Sequence, residues 1–179
     1  QFLQAMRPTP PRPVLALLND VIREVVDLMK PELENRQMFV ELDLRQDLLV
    51  AYFDVDQIKQ VLVNLVKNAM QVMPSGGRLT LRTQQNVHWV WVSIGDTGPG
   101  MSQAQLKNLF TPFFTTHEKG SGLGLMIVQR IIRAHRGRIE VESQEGSGTE
   151  FRVFLPLQEQ GPQLLNPAGS EMVGTQEEG

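Results

Sequence analysis

The chain has 179 residues, of which 41% are hydrophobic, with no cysteine and a formal net charge of −3. That apolar share supports the packed core of one domain. The missing cysteines exclude disulfides, thiolate catalysis and cysteine-ligated zinc, and the acidic balance offers nothing to nucleic acid or an anionic membrane. No apolar run approaches the ~20 residues of a membrane span, and the N-terminus carries no signal-peptide pattern. A cytosolic setting is compatible with this composition.

Gln1 to Met6 reads as the end of a helix, followed by a proline-rich linker from Pro8 to Pro13. Residues 14–34 place Val14, Leu17, Leu18, Val21, Ile22, Val25 and Leu28 at helical spacing, which predicts one helix with a buried face. Residues 38–44 alternate as a strand, and residues 49–53 form a second short one. Asp54 predicts an N-cap, with Gln57 three positions on as in a capping box. The helix it opens runs to about Val72 and is stopped by Pro74 and the Gly76-Gly77 turn. Residues 78–83 and 87–94 predict a hairpin, followed by a glycine-rich turn over 95–100. A short helix capped by Ser102 reaches Asn108, and residues 109–124 show little regular pattern. Residues 125–134 are helical, and strands over 138–143 and 149–155 close the pattern around Glu145-Gly146-Ser147-Gly148. From residue 158 onward there are four acidic residues, no lysine or arginine, and many Gly, Pro and Gln, the composition of a disordered tail or linker. This order predicts an α+β, two-layer sandwich: a mixed, mostly antiparallel sheet covered on one face by about three helices.

Four short motifs carry chemistry. Asn64 and Asn68 lie four apart on the predicted helix and so share a face beside its apolar stripe. An amide oxygen is a hard neutral ligand suited to Mg²⁺, although two exposed helix asparagines would have the same spacing. Asp96-Thr97-Gly98-Pro99-Gly100 ends a strand; its carboxylate could accept a ligand amine and its glycines leave room for a flat ring, or it is an ordinary aspartate turn. Asp-Thr-Gly is also the aspartic-protease triplet, but that chemistry needs two such aspartates sharing a proton and this chain has one copy. Phe110-Thr111-Pro112-Phe113 could anchor a mobile segment or simply fill core. Gly120-Ser121-Gly122-Leu123-Gly124-Leu125 precedes a helix, so its backbone N–H groups and the helix N-terminus could hold phosphate. Its Gly-x-Gly-x-Gly spacing is neither the dinucleotide nor the Walker pattern.

Taken in order, these motifs strongly resemble the ATP-binding catalytic domain of sensor histidine kinases, in the Bergerat-fold (GHKL) superfamily with gyrase- and MutL-type ATPases. Asn64 to Asn68 resembles the asparagine box. Asp96, Gly98 and Gly100 resemble the first glycine box, Phe110 to Phe113 the phenylalanine box, and Gly120, Gly122 and Gly124 the second glycine box. Gly146-Ser147-Gly148-Thr149 resembles the closing glycine-threonine element. The nearest flavour is that of nitrogen-regulation-type kinases, through Leu109-Phe110-Thr111-Pro112-Phe113-Phe114-Thr115-Thr116.

The resemblance implies domain limits and roles. Residues 1–12 would be the end of a dimerisation helix and a linker, 13–157 the catalytic domain, and 158–179 the tail. Asp96 would accept the adenine amino group, with Thr149 nearby through water and Met101, Ile94 and Leu125 lining the base. Asn68 would ligate Mg²⁺ with Asn64 close to the phosphates. Residues 120–125, with Ser121 and Leu123 among them, would hinge an ATP lid that begins near Thr115. Two positions depart from the pattern. Asn64 stands where related ATPases carry the glutamate that activates water, and Gln71 stands where many kinases have a basic residue; Lys67 or Lys119 could supply charge instead.

The three histidines, His88, His117 and His135, sit in none of the family's acceptor motifs. The chain therefore reads as a piece of a longer kinase that binds Mg-ATP without its own acceptor. Its implied partners are ATP, a dimerisation domain that carries the phosphoacceptor histidine, and a response regulator. The parent would be a homodimer with this domain in the cytoplasm, membrane-anchored or not, and the isolated domain a monomer. The alternative is a nucleotide-binding or partner-docking Bergerat module without kinase activity.

Overall fold

A computed structural model describes residues 9–111 and 122–157. The elements are β1 (Val14–Ala16), α1 (Leu18–Asn35), β2 (Phe39–Asp43), β3 (Ala51–Phe53), α2 (Val55–Val72), β4 (Arg78–Gln85), β5 (Trp89–Asp96), α3 (Gln103–Lys107), α4 (Gly124–Ala134), β6 (Arg138–Gln144) and β7 (Gly148–Pro156). Five strands form one sheet in the order β2-β4-β5-β7-β6; β2 runs parallel to β4 and every other pair is antiparallel. A separate two-stranded antiparallel ribbon joins β1 to β3.

Alternation along the strands explains the layers, because successive side chains point to opposite faces. Leu79 and Leu81 of β4, Val90, Val92 and Ile94 of β5, and Phe151, Val153 and Leu155 of β7 are all buried on the helix side. The opposite face carries charge pairs such as Arg82 with Asp43 and Arg152 with Glu150, and an aromatic contact between Trp91 and Phe154. Helix α2 lies between α1 and α4, and its stripe of Ile58, Leu62, Leu65 and Ala69 is buried. This is the expected α+β sandwich with a mixed sheet and helices on one face. Among the described residues no helix is long and apolar enough to cross a membrane.

Local differences from the sequence pattern have physical reasons. Val14–Ala16 is strand rather than the first turn of a helix, because its backbone pairs with β3, Val14 opposite Phe53. Helix α1 then starts after Leu17. Leu28 is exposed; the buried stripe turns instead through Val25, Met29 and Leu33, steps of four that follow the 3.6-residue period more closely. Leu49 and Val50 stay outside β3, whose partner β1 is only three residues long. Asp54 does cap α2, accepting from Gln57 N at 3.0 Å, but the box is half made. The Gln57 amide donates to Thr9 O instead, and Asp54 N donates to His135 Nε2 at 3.0 Å. The full reciprocal box occurs at Ser102 and Gln105, at the start of α3. Val87 and His88 lie in the hairpin turn, where Asn86 Oδ1 accepts from both His88 N and Trp89 N.

Candidate functional site

A cleft of about 420 Å³ opens between α2, the end of β5 and α3. That size falls in the range of small-molecule sites. Helix α2 supplies one wall. Asn68 lies on its half-buried flank, one turn before Val72, and both line the cleft together with Gln71. Asn64 is drawn elsewhere: its Nδ2 donates to Gly124 O at 3.3 Å, tying α2 to the first residue of α4. Lys67 is exposed on the helix.

Asp96 forms the closed end. It is the last residue of β5, flanked by Leu79 of β4 and Thr149 of β7 in register, and is only 9% exposed. Its Oδ1 accepts from Gly98 N at 2.9 Å and from Thr149 N at 3.3 Å. Among the described residues Oδ2 has no protein partner. Burial pushes the Asp96 carboxyl above its ordinary value of 3.8, and the two backbone N–H donors oppose that rise without cancelling it. A buried acceptor with one oxygen unspent is suited to receive a donor from a ligand.

The loop after Asp96 is held by the β6–β7 turn. Gly146 N donates to Pro99 O at 2.7 Å, and Met101 N donates to Ser143 Oγ at 2.8 Å. Two glycines permit this approach. A Cβ on Gly100, whose φ is +68°, would stand 2.0 Å from Gln144 O, and one on Gly148, whose φ is +88°, 2.0 Å from Asp96 O. Neither position admits a side chain, and both backbones are left-handed. Met101 and Thr149 both line the cleft. Ile94, expected beside them, is 2% exposed and belongs to the core beneath. Leu125 is half-buried against that core rather than in the described lining.

The short helix α3 forms the far wall through Gln105, followed by Leu109. Phe110 packs against the core, while Pro112, Phe113, residues 115–119 where a lid was expected, Gly120 and Ser121 lie outside the described residues. Gly122 has a φ of +69° and leads through Leu123 into α4, which begins without a side-chain cap. Val72, Gln105, Leu109 and Glu145 were not among the sequence-derived candidates. Val72 had a signal, one turn after Asn68; Glu145 reaches the cleft only because the β6–β7 turn docks there.

The histidines are accounted for differently. His135, just past the end of α4, is 9% exposed; its Nε2 accepts from Asp54 N, and its Nδ1 lies 2.8 Å from Ile131 O. That fixes the Nδ1–H tautomer. Asp54 is held below its ordinary value: burial pushes it up, but backbone hydrogen bonds from Arg12 N and Gln57 N outweigh burial. His88 is exposed in a turn, and His117 lies outside the described residues.

The family described as histidine kinase-, DNA gyrase B- and HSP90-like ATPase matches residues 53–159. Sporulation kinase E of Bacillus subtilis (strain 168) is 39% identical over 151 residues, which cover 83% of this chain and 20% of the relative. The chain thus spans a fifth of that kinase, and no more than a third of other sporulation kinases it matches. The nucleotide-free catalytic domain of the histidine kinase ThkA superposes with a TM-score of 0.75 at 32% identity, covering 81% of this chain and 95% of that one. The same kinase in complex with the response regulator protein TrrA gives 0.75 at 27% identity, covering 87% and 45%.

Proposed function

The chain belongs to the histidine kinase-, DNA gyrase B- and HSP90-like ATPase family, and on that premise we propose that residues 13–157 are the Mg-ATP-binding catalytic domain of a two-component sensor histidine kinase. The observation that carries the reading is Asp96: a buried carboxylate whose Oδ1 is spent on two backbone donors while Oδ2 faces no protein partner among the described residues. Such a group suits the exocyclic amine of adenine.

The remaining parts follow from the chain's own residues. Met101, Val72 and Leu109 give the base apolar walls. Asn68 offers a neutral amide oxygen in the same cleft, and the described residues hold no cluster of three acidic or imidazole ligands. That donor set fits Mg²⁺, which keeps several waters and takes phosphate oxygens. When bound, Mg²⁺ supplies charge neutralisation across the phosphates. Asn64, braced on Gly124, stands close to where α4 begins and cannot accept a proton at neutral pH, so it does not prime water for attack. Catalysis is then mostly positioning: this domain presents the γ-phosphate to a histidine on a separate dimerisation domain, and the phosphate passes on to a response regulator. The parent is a homodimer, and this domain by itself a monomer. The reading of a Bergerat module that has lost nucleotide is not favoured, because Asp96, Asn68 and the glycines that seat the loop are all in place.

Calorimetric titration of this chain with Mg-ATP tests the proposal. A micromolar dissociation constant is expected, about 8 kcal/mol of binding free energy. A flat titration with folded protein would sink it.

A further inference from the structure

We propose that Ser143 is a positioning residue for the base end of the cleft, setting the hydrogen-bond polarity of the Thr149 hydroxyl and through it the preference for a 6-amino over a 6-oxo purine. This rests on the nucleotide-binding reading above and names a determinant within that site.

Ser143 stands near the end of β6, and its Oγ meets three groups at once. Met101 N lies at 2.8 Å, Gly148 O at 3.0 Å and Thr149 Oγ1 at 2.8 Å. A serine hydroxyl has one proton and two lone pairs. A backbone N–H only donates, so Met101 takes one lone pair. A backbone carbonyl only accepts, so Gly148 takes the proton. One lone pair remains for Thr149, which must therefore donate. Its proton is committed to Ser143, and toward the cleft Thr149 Oγ1 acts only as an acceptor.

Thr149 lines the same cleft as Asp96 and is bonded to it through the backbone, Thr149 N to Asp96 Oδ1 at 3.3 Å. Asp96, ionised, is also acceptor-only. The closed end of the cleft thus presents two acceptors and no donor from these side chains. An exocyclic amine brings two hydrogens and matches it directly. A 6-oxo group brings only lone pairs and is rejected, since polar groups left facing like polarity in a shielded site are costly. Without Ser143 Oγ, the Thr149 hydroxyl is free to turn and donate, which readmits the 6-oxo group. The same loss releases the Met101 backbone at the start of the loop.

The test measures dissociation constants of this chain for Mg-ATP and Mg-ITP, with thermal midpoints recorded for every variant. Wild type is expected to prefer ATP. Ser143→Ala should compress the ATP-to-ITP preference about tenfold, and Ser143→Thr, which keeps the hydroxyl, should restore it. Thr149→Val removes the hydroxyl that Ser143 orients and should compress the ratio to a similar degree; adding Ser143→Ala to it should change the ratio no further. Equal weakening for both nucleotides in Ser143→Ala, or additive effects in the double variant, would overturn the proposal while leaving the nucleotide site standing. Absence of ATP binding by the wild type would overturn the nucleotide reading itself.

Discussion

At Asp96 the needs of ligand and fold pull in opposite directions. Burial raises its pKa above 3.8, so folding disfavours the charged form relative to the unfolded chain, while an amine ligand requires the carboxylate. The sign for stability follows from linkage: a raised folded-state pKa contributes stability below the ordinary value, and this is lost as pH rises through the folded value. Near neutrality the ionised Asp96 therefore costs the apo fold stability. Asp96→Asn keeps an oxygen for Gly98 N and Thr149 N but places a donor where the amine must dock. It should weaken ATP binding by about ten- to a hundredfold without lowering the apo thermal midpoint at neutral pH. A midpoint that falls with the affinity would mark Asp96 as merely structural. In wild type, ATP affinity should start to fall on acidification above pH 3.8, earlier than for an ordinary aspartate. Asp54 has the opposite sign. Its depressed pKa contributes stability above 3.8 that is lost as pH falls through the lower folded value. It caps α2, bonds Arg12 N and sits beside His135.

Among the elements, the β6–β7 turn matters more than its length suggests. Its residues 144–147 are exposed, yet it clamps the loop after β5: Gly146 N donates to Pro99 O, and the adjoining Ser143 hydroxyl accepts from Met101 N. Gly148→Ala should be among the most damaging single substitutions in the chain, because the new Cβ meets Asp96 O at 2.0 Å in a left-handed backbone. A loss of about 1–3 kcal/mol from strain alone is expected, read as a lowered denaturation midpoint, with ATP affinity falling beyond what the unfolded fraction explains. A folded Gly148→Ala chain with wild-type affinity would refute the clamp. Helix α2 is the other two-purpose element. One stripe fills the core while its flank carries Asn64 to the start of α4 and Asn68 into the cleft.

Across the whole molecule, the helix layer and the sheet enclose the core, and the cleft forms where the ends of β5 and β7 meet α2 and α3. None of the described histidines is set up to receive phosphate from that cleft: His135 is locked between Asp54 N and Ile131 O, and His88 sits in the distant β4–β5 turn. Radiolabelled ATP with this chain alone should leave no acid-labile phosphohistidine; label on any of its histidines would contradict the need for a separate acceptor domain. Strong periodicity and turn chemistry made the helix 55–72, its Asp54 cap, the Ser102 cap and most of the strands readable from sequence, since those signals act within a few residues. The motif spacing likewise marked Asp96, Asn68, Gly100 and Thr149. What lay beyond it depended on partners distant in the chain. Val14–Ala16 is strand only because β3 pairs with it; Gln57 abandons its capping box for Thr9; His135 becomes an acceptor for Asp54 N, 81 positions away. The Ser143 hydroxyl meets Met101 N, 42 positions back, only because the fold brings the two together. The sequence by itself determined most of the elements and the chemical groups of the candidate site, because propensity, capping and glycine tolerance are local. Only the tertiary structure decided which donor meets which acceptor, because each hydroxyl, amide and imidazole has few bonds to give and spends them on whatever the fold places beside it.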